Sequence, residues 1–555
     1  MTPEPVPSSS WTAAAGLFSA TLLIGVTGAI VAHGHDGLVY TLGIAGAAFL
    51  CSALFAPLLA GNPAQRTLPA LLAHRYASPT VGFIASAVIV IALLGLLAAE
   101  MLVVGRTVSL AGIATAPSPL MIAIALAAAT MAAQALCATP RLAAVAAATV
   151  AAVTVAALPS AIFALSGSDG LGALISVPAL PDIAALEQGL IEKKLADPAT
   201  FKPYASPFLR TDLLNTLALT VCLSFGLACL AAARSYSSLA ESRSTRSTAR
   251  AIALAGCALV LVPALAAVGR RSLLGVFAGG LKASALPGWL SDLRALEGVQ
   301  LCGTVGGDVA ALVKACGKGQ LGLMRWQDAV FAQDGLIVSA LAPASWGGAA
   351  TMLLAAAATL CAIWTAREIT RTIADCALPA PSAGGSHPIR SYGAIAAVFA
   401  LAFVILAANP GPSVTLLAWS ASLAAAGLAP ALLAAFAPRP SAVAALIAIP
   451  LGAAVAATLI LTARYDPLDA FAMSSAVSGA PPAVIRKMAT LLQSLDAVSG
   501  EPARQAVLSQ IEVLARDAVV WLGLKPLSCG AIGLVLSSFV MLAGTAISAL
   551  RNRPS

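Results

Sequence analysis

The chain has 555 residues, of which 59% are hydrophobic and 10% charged, and its formal net charge is +8. Soluble domains carry about 25% charged residues, so this composition excludes a soluble enzyme, a disordered chain and a disulfide scaffold. It points to an integral membrane protein built of many helices. The positive balance does not mark a nucleic-acid binder, because the basic residues are spread through short loops and form no basic face with interleaved aromatics.

The N-terminal stretch, residues 1–10, is polar and has no Lys or Arg, so it lacks the basic leader of a signal peptide. The first apolar run is therefore expected to stay as a helix. A spanning helix needs about 20 mostly apolar residues. Twelve runs meet that need, over 11–32, 39–60, 80–104, 118–137, 142–165, 213–233, 251–269, 346–366, 393–408, 413–437, 441–463 and 527–550. The ninth is short.

Lys and Arg in short loops set orientation. One side collects Arg66, Arg75, Arg141, Arg234, Arg243, Arg246, Arg250, Arg367, Arg371, Arg390 and Arg439, with Arg551 and Arg553 in the tail. The other side's short loops hold only Asp36 and Arg106. Both termini are thus expected in the cytoplasm. The long polar segments 166–212, 270–345 and 464–526 fall outside. Within the last, Ile485, Met488, Leu491, Leu492 and Leu495 recur at three- and four-residue spacing in a helical pattern running from Ala483 to Val520. That pattern fits an amphipathic surface helix or a cap on the bundle, and equally a helix packed on other loops.

Eight cysteines (Cys51, Cys137, Cys222, Cys229, Cys257, Cys361, Cys376 and Cys529) lie in or beside apolar runs and read as small hydrophobes. Cys302 and Cys316 share the long 270–345 loop on the oxidising side. They form either a disulfide that closes a short loop or two partly buried thiols.

The residues able to carry chemistry are few. Ser19, Thr21, Gly25, Thr27 and Gly28 crowd the middle of the first run. Gly and hydroxyl residues can support an interrupted helix, whose N-terminal half-dipole faces an anion and whose freed carbonyls bind a cation. The same residues also suit a small-residue packing face. Glu100 stands inside the third run, where an acid at mid-membrane costs about 3 kcal/mol on insertion scales. It reads as a proton-coupling or cation-binding group, or as an acid near the outer interface that reaches water. Arg106 can meet it only after the helix bends. Ser224 and Gly226 suggest a break in the sixth run, followed by Arg234 as an inner-boundary anchor. His33, His35 and Asp36 make a poor metal set, and no catalytic motif or metal site is visible. The chain is not expected to be an enzyme.

Several stretches, in order, resemble the sodium:solute symporter family and its acetate permease branch. They are the first helix with its Gly34-His35-Asp36-Gly37-Leu38 turn, Thr67 to Tyr76, Leu97 to Val108, Leu223 to Tyr236, Thr365 to Asp375, and the tenth helix AWSASLAAAGLAPALLAAF. The resemblance runs from about 11 to 463. The chain departs from the family pattern at Glu100, at Cys229 and Leu230, and at Trp364, Arg367 and Glu368.

The resemblance implies an all-α fold with a LeuT-like core of two inverted five-helix repeats, 11–165 and 213–437, plus a helix at 438–463 and another within 527–555. It implies substrate contacts at Ser19, Gly25, Ser224 and Gly226. It implies a cation site from Ala20 and Thr21 of the first helix with Thr359 and Thr365 of the eighth. Oxygen ligands suit sodium, although Thr359 and Thr365 are six apart and Thr can instead bond its own helix. The implied function is cation-coupled symport of a small solute such as acetate, with Na+ or H+ as coupling ion and no other cofactor. The implied setting is a bacterial inner membrane, with lipid, the solute and a small membrane subunit as the partners compatible with it. A solute sensor or scaffold of the same fold is the alternative. Sensors of this family carry a signalling domain, and the chain's end at Ser555 favours the transporter.

Overall fold

Ala and Leu fill the apolar runs, and both are strong helix formers. In hydrocarbon every backbone polar group must be satisfied within the protein, which closes such runs into helices. The structure is a computed structural model. It describes the whole chain except residues 1–12, 61–64, 66, 113–117, 137–139, 167–178, 199–200, 202–203, 205–212, 241–244, 296–297, 305, 307–308, 317–322, 342–345, 378–387, 409–410, 480, 498–500 and 552–555. The expectations for residues 1–10, Arg66, Cys137, Arg243 and Arg553 lie outside the described residues.

Among the described residues ten helices are long and apolar enough to cross a membrane, and this is a multi-pass membrane protein. The first of the ten runs from Thr21 to Leu59, 39 residues, or about 58 Å at helical rise, far beyond one bilayer. It is divided by a tight turn at Gly34–Gly37. Gly34 adopts φ +62°, a conformation that favours glycine. A side chain at Gly37 would run into the backbone of Ile30. The turn separates α1 (Val26–His33) from α2 (Leu38–Leu50).

The later spans are α3 (Pro79–Leu110), α4 (Pro119–Leu136), α5 (Pro140–Ser166), α6 (Leu213–Arg234), α7 (Thr245–Ala278), α8 (Gly347–Ala377), α9 (Pro388–Ala407), α10 (Ser413–Ala434), α11 (Ala442–Tyr465) and α12 (Gly530–Arg551). With the first helix divided and the shorter α9 included, a helix stands at each of the twelve expected runs. Within this bundle α10 and α3 are central, with 83% and 72% of their most apolar 18 residues buried. The rim helices α12 and α4 have 22% and 17%. Phe49, Phe83, Phe539 and Leu542 are among the large apolar side chains left exposed, as a lipid-facing surface requires.

Small residues let the central helices approach closely. A side chain at Gly226 of α6 would collide with the Ala421 carbonyl of α10. This corrects the expected break in the sixth run: α6 is continuous through Ser224 and Gly226. Ser224 Oγ donates to the Thr220 carbonyl at 2.8 Å, one turn back.

The segment between α7 and α8 forms a lid. It holds short helices at Gly288–Ala295, Val309–Cys316 and Leu336–Leu341, and strands β1 (Val299–Leu301) and β2 (Ala329–Phe331). The strands pair antiparallel, Val299 opposite Phe331. Cys302 and Cys316 are joined by a disulfide in this lid. The expected single helix over 483–520 is instead two, Pro482–Ala497 and Glu501–Ala518, preceded by Pro467–Ser478. They pack on one another, with Ile485 and Leu492 exposed.

Candidate functional site at the broken first helix

The first membrane helix is interrupted in its buried middle. A 3-10 turn covers Ala15–Leu17, Phe18 is extended at φ −83° and ψ 139°, and a π turn at Thr21–Gly25 leads into α1. All of these residues are buried. Ser, Thr and Gly at this point offer side-chain and backbone groups without bulk. The break leaves backbone groups that an intact helix would have satisfied.

Three side chains close around it. Ser19 sits in the break and its Oγ accepts from the Thr21 amide at 3.3 Å. Thr365 of α8 is fully buried and donates to the Cys361 carbonyl at 3.0 Å. Glu100 of α3 is 0% exposed and faces the Ser19 and Thr365 hydroxyls and the Ala20 amide, with the Arg234 guanidinium acting on it from α6. None of these approaches closes to hydrogen-bonding geometry, so both Glu100 carboxylate oxygens are buried without a hydrogen-bond partner among the described residues. The carboxylate stands at the N-terminal end of the second half-helix, where the dipole favours negative charge. Glu100 therefore does not reach water at an interface. The carboxylate that faces Thr365 of α8 comes from α3.

Arg234 is 2% exposed, so it is not a surface anchor. Its Nη1 donates to the Gly16 carbonyl at 3.2 Å, at the end of the first half-helix. Its Nε and Nη2 are buried without a hydrogen-bond partner among the described residues. Beside it lies a cavity of about 10 Å³, lined by Ser19, Leu17, Leu22, Leu227 and Leu230, which holds about one water molecule. Arg234, at the end of α6, makes this contact two to three turns beyond Ser224 and Gly226. Those two pack against Gly46 of α2 and Ala421 of α10 instead.

The remaining candidates fall elsewhere. Thr359 is half-buried and bonds its own helix through the Ala355 carbonyl at 2.8 Å, so it is not brought to the break with Thr365. Gly25 faces a second cluster nearer the lid, beside Ser413 and Asp334. Trp364 is buried against Ala15 and Ala147, with the Arg367 guanidinium stacked 5.0 Å from its ring, and Arg367 pairs with Glu368 at 2.9 Å.

The lid closes this end of the bundle. Asp334 is 1% exposed, accepts from the Ser413 amide at 3.1 Å with each oxygen, and accepts from the Ser413 hydroxyl. Arg106 Nη1 lies 3.8 Å from its carboxylate, so Arg106 serves Asp334 rather than Glu100. Burial pushes the Asp334 carboxyl above the usual carboxylate range, against the lowering effect of Arg106 and Ser413. The Gln333 carbonyl sits where a side chain on Gly28 would stand. Sequence reading missed Asp334 and Ser413. Their separation of 79 residues gives no local pattern, although a lone Asp beside a Gly in an otherwise apolar stretch is a visible cue.

No family model matches the chain, and no curated protein matches it. Its structure is similar to that of a Na+-coupled sialic acid symporter solved in a substrate-bound outward-open state with a novel Na+ site. The TM-score is 0.45 at 13% sequence identity, over 83% of this chain and 84% of that one.

Proposed function

We propose that this protein is a secondary active transporter that couples cation entry to symport of a small solute by alternating access. The observation that carries this reading is the break at Phe18–Ser19 in a buried membrane helix, with an unpartnered Glu100 carboxylate facing it. Irregular backbone at membrane depth is tolerated where it lines a cavity, and broken helices form the ligand sites of such transporters. Glu100, Ser19 and Thr365 offer three oxygens to one cation, which suits Na+, and Glu100 alone suits a proton. The inverted five-helix repeats, the acetate-like solute, the cytoplasmic termini and the bacterial inner membrane follow from the family resemblance and the arginine distribution. In this orientation the lid faces outward.

The test is uptake of labelled acetate into proteoliposomes under an imposed Na+ gradient and, separately, a proton gradient. Uptake driven by either gradient and lost in Glu100→Gln supports the reading. Sodium-driven uptake reduced by Thr365→Val assigns the cation. Uptake indifferent to both gradients, or gradient-driven uptake that Glu100→Gln leaves unchanged, overturns the proposed site. Solute binding without uptake would instead favour a sensor of the same fold.

A further inference from the structure

Arg234 presents an unusual pattern of used and unused donors. Nη1 is engaged by the Gly16 carbonyl, while Nε and Nη2 are buried with no hydrogen-bond partner among the described residues. Those two N–H groups lie along one edge of the planar guanidinium. That edge matches the two oxygens of a carboxylate in a bidentate pair. A buried cation with two idle donors is costly unless something compensates it. Arg234 also lines the small cavity at the helix break, which is walled by leucines, with Ser19 as the other polar side chain among its lining residues.

We propose that Arg234 receives the substrate: its Nε–Nη2 edge takes both oxygens of a short organic monocarboxylate, whose alkyl group lies against Leu227 and Leu230. The inference rests on the symporter reading for the route by which the ligand arrives, and it adds the residue that recognises the anion. Size follows from the cavity. It holds about one water molecule in this state, so a ligand enters by displacing the half-helix, and each added methylene demands further displacement. Number of charges follows from Arg234, the one cationic side chain among the lining residues, which selects monocarboxylates over dicarboxylates.

Charge balance supplies the coupling. Glu100 and Arg234 are opposite buried charges on two sides of the same break, each with idle polar atoms. A carboxylate arriving alone would make the buried set net negative. A cation bound at Glu100 offsets that charge and leaves Arg234 to the incoming anion. Each ligand therefore raises the other's affinity by the same factor.

The test is equilibrium binding of labelled acetate to the purified full chain in lipid nanodiscs, which needs no transport. Propionate is expected to compete and acetamide, the uncharged analogue of acetate, is not. Arg234→Lys keeps the charge but loses the two-point edge, and should weaken acetate binding at least about tenfold; Arg234→Gln should abolish it. Because Arg234 also holds Gly16, a variant that keeps it is needed. Leu230→Ala should shift the preference from acetate towards butyrate while leaving the chain folded. The proposal is overturned if the native chain binds no carboxylate, if acetamide competes as well as propionate, if folded Arg234→Gln binds acetate normally, or if Leu230→Ala leaves the chain-length preference unchanged. Acetate binding that follows this pattern, with no gradient-driven uptake, would sustain the anion site while removing the symporter reading.

Discussion

Arg270 of α7 and Glu187 of the helix Ala179–Glu192 form an ion pair at 3.1 Å, with their side chains 1% and 4% exposed. The same guanidinium donates to the carbonyls of Val31 at 2.8 Å and Ala32 at 3.2 Å, which end α1. It also stacks 4.7 Å from the Trp326 ring of the lid and 5.3 Å from Phe201. One side chain thus ties the first helix, the 166–212 segment and the lid together. A cation at a helix C-terminus is favourable on its own account.

Removing one partner of a buried pair leaves the other charge uncompensated, which costs about 3–5 kcal/mol. Glu187→Gln and Arg270→Gln should each lower the unfolding temperature of the purified chain. The double variant should lose less than the sum of the two. Additive losses in a thermal-unfolding cycle would show that the pair is not coupled.

The lid should respond to pH through Asp334. Burial raises its carboxyl above the ordinary aspartate range, so the closed lid holds the proton more tightly than an open, hydrated one. The stabilisation of closure is full below the open-state value and is lost as pH rises through the closed-state value. Hydrogen exchange over residues 329–341 should therefore quicken on going from acid towards neutral pH, beyond the intrinsic rate change. Asp334→Asn should flatten that dependence; an unchanged slope would remove Asp334 from the gate.

Gly28 sets how deeply the lid seats. A methyl group there would collide with the Gln333 carbonyl, which is backbone and cannot swing away. Gly28→Ala is expected to lift the lid by about 1–3 kcal/mol of local destabilisation, the usual cost of overpacking. Faster exchange confined to the lid, with the rest of the bundle unaltered, is the outcome to look for. Equal protection in both forms would mean that the loop relaxes without consequence.

The difference between what the sequence disclosed and what it hid has a physical basis. Twelve apolar runs disclose twelve helices, because hydrocarbon leaves the backbone no other way to satisfy itself. The crowding of Ser19, Thr21 and Gly25 disclosed the interruption of the first helix for the same local reason. Ser224 and Gly226 were misleading, since a glycine in a membrane helix serves close packing as readily as a break, and here it admits Ala421 of α10. Arg234 looked like a boundary anchor because its position in α6 says nothing of the Gly16 carbonyl 218 residues away. Glu187 and Asp334 likewise acquire meaning only through partners distant in the chain.

The eighth helix separates two threonines that its sequence leaves equivalent. Thr365 is fully buried and stands before the Glu100 carboxylate, whereas Thr359 is half-buried and turns its hydroxyl to the Ala355 carbonyl. Six residues along a helix at 3.6 per turn put the two about 120° apart around α8, so they do not share the face that meets the break. Each Thr→Val change removes a hydroxyl at nearly constant shape. Thr365→Val should raise the concentration of Na+ needed for half-maximal uptake by about tenfold, the scale of one lost hydrogen-bonding or coordinating oxygen at a desolvated charged group. Thr359→Val should leave that concentration unchanged. Proton-driven uptake is expected to be less sensitive to Thr365, since a proton on Glu100 requires one carboxylate and no shell of oxygens. Sensitivity to Thr359 and not to Thr365 would place the cation on another face of α8, away from the break, and would sever the link between the cation and Glu100.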